Sequence, residues 1–77
     1  EYYKIYPNPS QYSITIEVEQ LAEDMYVEFY DVNGSILKVS SLSDKISTVS
    51  LDNISKGVYF FKIIRNGNEV GSGNLGS

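Results

Sequence analysis

The segment Gly57-Val58-Tyr59-Phe60-Phe61-Lys62-Ile63-Ile64 is the most apolar run of the chain, and we expect the fold to form around it. It is rich in β-branched and aromatic residues, which favour a strand. A strand covered on one face alternates apolar with polar residues, but here residues of both parities are apolar. We therefore predict a central strand that is covered on both faces, or nearly so. Asn66-Gly67 follows directly and predicts a hairpin.

The composition indicates one small domain that folds without covalent cross-links. The chain has 77 residues, no cysteine, no histidine and a formal net charge of −4. A chain of this size buries only about 60 % of its unfolded surface, so the tyrosines and phenylalanines must supply much of the core. The acidic balance argues against nucleic acid and anionic membranes as partners, because both attract clustered Lys and Arg. No run is long enough for a membrane helix, and we predict no membrane insertion.

The two ends suggest a piece of a longer polypeptide. The chain starts at Glu1 without an initiator methionine and without a signal peptide. At the other end, Gly76-Ser77 is a pair of the kind that cloning leaves behind. We assign residues 1–75 to the domain and leave residues 76–77 out of it.

Alternation predicts a half-buried strand over Tyr12–Val18, with Tyr12, Ile14, Ile16 and Val18 facing the core. The residues of the other parity are polar, so the opposite face of this strand should be exposed to solvent.

Other short runs between turn residues extend the pattern. In Met25–Val32 we expect Val27 and Phe29 to face the core, and the following Asn33-Gly34 predicts a type I′ hairpin turn. Pro7-Asn8-Pro9 predicts a stiff corner that carries the chain from one sheet to the other. The predicted strands are 2–6, 12–18, 25–32, 35–39, 45–51, 57–64 and 68–75, and a helical turn starting at residue 43 or 44 is the rival for the fifth.

Six or seven short strands with regular turn spacing and no convincing helix indicate an all-β fold. We predict an antiparallel, immunoglobulin-like β-sandwich. A small barrel is the alternative.

The residue types exclude most catalytic chemistry. Without His or Cys, the chain lacks Ser-His-Asp and Cys-His nucleophilic systems and the usual zinc ligands. Glu17 and Glu19 share one face of a strand, about 7 Å apart, but an open sheet face offers no enclosed site for glycoside chemistry. We predict no enzymatic activity, no catalytic residue, no cofactor and no metal.

A calcium site has weak support. Asp31 begins a segment similar to a calcium loop, but Ile36 and Leu42 stand where an EF-hand needs Gly and Glu. A looser site at Asp31, Asp44 or Asp52 stays open at this point.

Tyr26, Glu28 and Tyr30 form a candidate binding patch on one face of a strand. They could make an aromatic platform for a sugar ring or a partner protein. The alternative is that the two tyrosines only pack at the border of the sheet and bind nothing.

Three segments, taken together, resemble a known family. They are Tyr6-Pro7-Asn8-Pro9-Ser10, the Phe29–Gly34 segment and the Leu51–Ile63 segment. In this order and spacing they resemble the type A C-terminal sorting domain of the type IX (Por) secretion system, over residues 4–75. The residues that match the family motif are Tyr6, Pro7, Asn8, Pro9, Asn33, Gly34, Gly57, Val58 and Tyr59.

The resemblance implies a non-catalytic β-sandwich at the C-terminus of a cargo protein. It implies three partners, namely the outer-membrane translocon, a sortase-like peptidase and the upstream cargo in the same polypeptide. It also implies export: the protein passes through the periplasm and then reaches the cell surface or the medium. The chain departs from the family at its end, where Gly76-Ser77 follows Gly73-Asn74-Leu75 in place of a basic and apolar run.

We expect the last strand to be an edge strand and part of the docking surface, because an edge leaves backbone donors and acceptors available for pairing. The candidate docking residues are Asn68, Glu69, Val70, Gly71, Gly73 and Leu75. Two other functions stay open. One is an accessory module of a secreted enzyme that binds carbohydrate or protein at Tyr26, Glu28 and Tyr30, and the other is a structural spacer.

Overall fold

The computed structural model describes residues 3–8, 12–52, 54 and 57–75, and within them it contains seven strands and no helix. The strands form a three-stranded sheet in the order β1-β2-β5 and a four-stranded sheet in the order β4-β3-β6-β7. All neighbouring strands are antiparallel, so the predicted all-β sandwich is confirmed. The strands are β1 (Tyr3–Asn8), β2 (Ser13–Val18), β3 (Met25–Tyr30), β4 (Ile36–Ser41), β5 (Ile46–Ser50), β6 (Tyr59–Arg65) and β7 (Asn68–Leu75).

The core lies between the inner faces of the two sheets. As predicted, Ile14, Ile16, Val27 and Phe29 are buried, and Phe29 is fully buried at 0 % exposure. Each such side chain contributes roughly 1.5–3 kcal/mol through the apolar area that it removes from water. The remaining buried apolar residues are Val18, Met25, Leu42, Val49, Tyr59, Phe61, Ile63 and Ile64.

The segment that decides the fold forms a central strand that is fully covered on one face and only partly covered on the other. Tyr59, Phe61 and Ile63 are buried between the sheets, whereas Val58 is 53 % and Phe60 40 % exposed. The prediction of cover on both faces was therefore wrong for Val58 and Phe60 and holds on the outer face only at Ile64, which is 9 % exposed. The reason is that the domain has two layers, and within the described residues no third layer packs on the outer face of the four-stranded sheet.

Tyr12 also differs from its prediction. It has a φ of 48° and is 55 % exposed. The left-handed backbone directly before β2 takes the residue out of the strand's alternation, so its ring does not join Ile14 and Ile16 in the core.

Both predicted hairpins form, with different turns. Asn66 and Gly67 have φ values of 50° and 84°, the pattern of a type I′ turn. At the other hairpin only Gly34 has positive φ, at 86°, so the type I′ prediction for Asn33-Gly34 was wrong. There the carboxylate of Asp31 accepts the backbone N–H groups of Asn33 and Ser35, each at 2.9 Å, and this Asx-type turn needs only the glycine in the left-handed region.

The predicted corner at Pro7-Asn8-Pro9 does not cross between sheets. β1 extends through Pro7 to Asn8, and Pro7 lies opposite Ile14 of β2 in the same sheet. A proline is tolerated here because β1 is an edge strand, where a missing N–H need not break the ladder. Pro9 lies outside the described residues, as do residues 76–77.

Single side chains bridge the two open sides of the sandwich. On the side bordered by β4 and β5, Lys38 Nζ donates to the carbonyl oxygen of Ser50 at 2.7 Å. On the side bordered by β1 and β7, the Tyr3 hydroxyl donates to the carbonyl oxygen of Ser72 at 3.4 Å. Each bridge therefore connects one sheet to the other at their edges.

The core assignment predicts a clear difference between two phenylalanines. Phe29→Leu should lower the free energy of unfolding by about 1–1.5 kcal/mol, because it leaves a misfit in a close-packed core. The matched control Phe60→Leu, on the outer face, should change it by less than about 0.5 kcal/mol. Urea denaturation followed by tyrosine fluorescence measures both, and equal losses would contradict the one-sided burial of the sheet.

Candidate functional site

β7 carries all the candidate docking residues and lies at the edge of the four-stranded sheet. Within the described residues it pairs only with β6, so one row of its backbone groups has no ladder partner. Its position as an edge strand matches the prediction, and its docking role stays a prediction. We call Asn68–Leu75 the docking strand.

The glycines of the docking strand have a structural cause. Gly71 and Gly73 lie opposite the buried residues Ile63 and Phe61 of β6. A Cβ on Gly73 would approach Phe61 Cζ to 3.1 Å, and a Cβ on Gly71 would meet the ring of Tyr3. Aromatic rings from β6 and β1 thus occupy the inner side of this strand, which explains why its own sequence is poor in apolar residues.

A shallow depression of about 370 Å³ lies where β6 meets the docking strand. Its lining includes the exposed side chains of Phe60 and Lys62 and the small residues Ser72 and Gly73 of the docking strand. An apolar side chain of a partner could enter it. The lining residues are Phe60, Phe61, Lys62, Ser72, Gly73 and Asn74.

The candidate binding patch lies on the outer face of β3. Tyr26, Glu28 and Tyr30 follow one another on that face, and all three are half-buried. The register places Tyr30 between Ile36 of β4 and Phe60 of β6, which are 56 % and 40 % exposed.

The patch therefore continues into exposed apolar residues on both neighbouring strands. We call this surface the outer sheet face; it comprises Tyr26, Glu28, Tyr30, Ile36, Val39, Val58, Phe60 and Lys62. Sequence reasoning missed its extent, although the apolar residues of both parities in Gly57–Ile64 were the signal for it.

The polar groups of the outer sheet face contact one another. The Tyr30 hydroxyl donates to the carboxylate of Glu28, and Lys62 Nζ lies 5.1 Å from the centroid of the Tyr30 ring. Lys62 Nζ also lies 4.0 Å from Glu69 Oε1 in an exposed ion pair, which is worth at most about 1 kcal/mol. The hydrogen bond to Glu28, with a smaller contribution from burial, raises the pKa of Tyr30 to about 12.

Tyr6 and Asn8 of the family motif lie on the outer face of the other sheet. Asn8 Nδ2 donates to Ser13 Oγ at 3.2 Å and to Thr15 Oγ1 at 2.9 Å. The Tyr6 hydroxyl donates to the carboxylate of Glu17, and this hydrogen bond raises the pKa of Tyr6. These bonds join β1 to β2, so Tyr6 and Asn8 hold an edge strand in register.

The other motif residues lie elsewhere. Asn33 and Gly34 form the β3–β4 hairpin, and Gly57 has a φ of 140° before β6 begins. Val58 is exposed, whereas Tyr59 is buried, and that burial raises the pKa of the Tyr59 hydroxyl. The motif residues therefore support separate parts of the scaffold and do not meet in one site.

Neither a metal-binding cluster nor a membrane-spanning helix occurs in the described residues. No group of three or more His, Cys, Asp or Glu residues is arranged to hold a metal ion there. The carboxylate of Asp31, the first candidate calcium ligand, instead binds backbone N–H groups of its own turn. The same part of the chain has no helix of the length and apolarity needed to cross a membrane.

The contact between Tyr30 and Glu28 predicts a titration that one substitution should shift. In the folded protein Tyr30 should ionise at a pH of about 12, because the neutral hydroxyl donates to a carboxylate. Since this pKa is raised on folding, its stabilising contribution is present below pH 10 and is lost as the pH rises from about 10 to 12. In Glu28→Gln the ionisation should move toward the ordinary tyrosine range, as followed by tyrosinate absorbance or ring NMR shifts.

Glu17→Gln is the matched control for that measurement. It removes the carboxylate from Tyr6 and should leave the ionisation of Tyr30 unchanged. A Tyr30 titration that does not respond to Glu28→Gln would contradict the contact.

Comparison with known proteins agrees with the resemblance of the motifs. A family model described as a secretion system C-terminal sorting domain matches residues 4–72, from the second residue of β1 into the docking strand. No curated protein matches the chain. The match spans nearly the whole of the 77-residue chain. The chain therefore belongs to the family of C-terminal sorting domains of the type IX secretion system.

Proposed function

We propose that this domain directs an upstream cargo in the same polypeptide through the outer-membrane translocon of the type IX system. We further propose that the translocon binds the docking strand by adding a strand to its open edge. The observation that carries this proposal is the position of β7 at the sheet edge, with a row of backbone groups outside the ladder. Main-chain pairing of this kind supplies affinity, and pockets for alternate side chains supply specificity.

A comparison of the four sheet edges supports the choice of β7. Natural edge strands are commonly protected by proline, by lysine or by inward-pointing charges. β1 contains Pro7, and β4 contains Lys38, which reaches across to Ser50. β5 is only five residues long, whereas the docking strand has eight residues and neither proline nor lysine. The docking strand is thus the longest edge strand among the described strands, and it contains neither proline nor lysine.

Membership of the family supports a sorting signal of a protein that is exported to the cell surface or the extracellular space. Sorting domains are in general non-catalytic, and we assign this domain no reaction of its own. The finer steps are part of the proposal. They comprise transit of the cargo through the periplasm and removal of the domain on the outside by a sortase-like peptidase.

An accessory binding module is the second candidate function. The outer sheet face supports it, because exposed apolar patches commonly mark interaction sites. However, a sugar needs a free ring face and free polar groups, and Lys62 lies over the ring of Tyr30 while Glu28 accepts its hydroxyl. We therefore place this function below sorting.

The docking strand should be required for export. Fused to the C-terminus of a periplasmic reporter in a type IX-competent host, the domain should move the reporter to the cell surface or the medium. Deletion of Val70–Leu75 should abolish that export. Immunoblots of cell and medium fractions measure it, and undiminished export after the deletion would overturn the proposal.

A point substitution tests the edge itself. Asn74→Lys places a charge on the exposed side of the docking strand and should lower export by about tenfold, since lysine on an edge opposes strand addition. The matched control Thr48→Lys places the same charge on the exposed edge strand β5 and should leave export unchanged. Circular dichroism melts of both variants show whether the fold is retained, and equal export by the two variants would exclude β7 as the edge that is bound.

Substitutions of Tyr26 and Tyr30 distinguish the two candidate functions. If sorting through the docking strand is the function, Tyr26→Ala and Tyr30→Ala should retain export. Glycan-array binding by the original domain that is lost in both variants would instead favour the accessory module.

A further inference from the structure

Tyr3 connects the first strand of the domain to the last. It lies in β1 opposite the buried Val18, and its side chain packs against the core. Its ring meets Phe61 edge-on, with centroids 6.0 Å apart and an interplanar angle of 73°. Its hydroxyl donates to the carbonyl oxygen of Ser72 at 3.4 Å, so one side chain contacts both β6 and the docking strand.

Gly71 makes this arrangement possible. A Cβ at this position would lie 2.2 Å from Tyr3 Cε1 and 2.8 Å from two further atoms of the same ring. No real Cβ approaches another carbon so closely, so the ring fills the space that a side chain of the docking strand would occupy. The position of the Tyr3 ring therefore requires glycine at residue 71.

The docking strand has few other contacts with the interior. Val70 and Leu75 pack against the core while remaining partly exposed, and the inner side of Gly73 lies against Phe61. Its remaining support is the ladder with β6. The ring of Tyr3 thus joins this strand to the other sheet.

We infer that Tyr3 clamps the docking strand, so that the point where β1 begins controls whether the edge strand stays closed on the sandwich or opens. We call the contacts of Tyr3 with Phe61, Gly71 and Ser72 the Tyr3 clamp. The clamp occupies one backbone acceptor of the docking strand, the carbonyl oxygen of Ser72. Without the clamp, this oxygen would be available to a strand that adds to the edge. In that respect the inference deepens the proposed function and rests on it.

The proposed function also gives the clamp a place in sorting. A cargo upstream in the same polypeptide lies on the N-terminal side of Tyr3. A change in the chain on that side, such as tension or cleavage, would be transmitted through β1 to the residue that holds the docking strand. Opening of the edge would thereby be coupled to the state of the cargo junction.

Hydrogen exchange on the full chain tests the clamp without reference to secretion. Tyr3→Ala should increase the exchange rates of the amides of residues 68–75 by about tenfold, because loss of a local contact raises local opening. The amides of β3, in the middle of the same sheet, should change by less than about twofold. Tyr3→Phe keeps the ring and loses only the hydroxyl, so its effect should be smaller.

A double-substitution cycle separates the clamp from a general role of Tyr3 in the core. Gly71→Ala should open the docking strand in the original chain, because its Cβ collides with the ring of Tyr3. In a Tyr3→Ala background the same substitution should have almost no further effect, since the ring is gone. The matched control Gly73→Ala meets Phe61 instead, and its effect should persist in that background.

Two results would overturn the inference. One is an equal increase of exchange in β3 and β7 for Tyr3→Ala, which would mark an ordinary core residue. The other is a Gly71→Ala effect that is the same with and without the Tyr3 ring. The export assay is read separately. A clamp that hydrogen exchange confirms, together with undiminished export after deletion of Val70–Leu75, would count against the docking role of β7 but not against the clamp.

Discussion

The packing of aromatic rings between the two sheets is the interaction on which the rest of the structure depends. Phe29 is fully buried in β3 and meets the ring of Tyr59 edge-on, with centroids 6.3 Å apart. Phe61 lies opposite Phe29 on β6 and meets Tyr3 from the other sheet. With no disulfide in the chain, the large apolar area of these rings has to compensate for the small size of the domain.

This dependence shapes the edges of the sandwich. Where two sheets meet at an open side, the core would be exposed to water unless a side chain crosses the gap. Tyr3 crosses one side and Lys38 the other, and both donate to a backbone carbonyl of the facing strand. The edge strand β7 can consequently be rich in glycine, because rings from other strands fill the space beneath it. A strand built in this way keeps its outer edge accessible for pairing while its inner side belongs to the core.

The two outer faces have different characters. On the three-stranded sheet, Tyr6 and Asn8 donate hydrogen bonds to side chains of β2 and present a polar surface. On the four-stranded sheet, the outer sheet face exposes Val58 and Phe60 next to charges that are already paired. The family motif therefore identifies the domain through residues that hold the scaffold together. The proposed recognition strand lies beyond the last of these motif residues in the chain.

The sequence by itself determined the strands, the alternating core of β2, the residues Val27 and Phe29 and both hairpins, because these follow from local periodicity and turn chemistry. It also determined the family, through the order of three motifs. The tertiary structure decided what depends on contacts between distant residues. It left Val58 and Phe60 exposed, since only the number of layers decides whether a second face is covered. It kept Pro7 within one sheet, and it joined Tyr3 to Gly71, a contact between residues at opposite ends of the domain that no local pattern encodes.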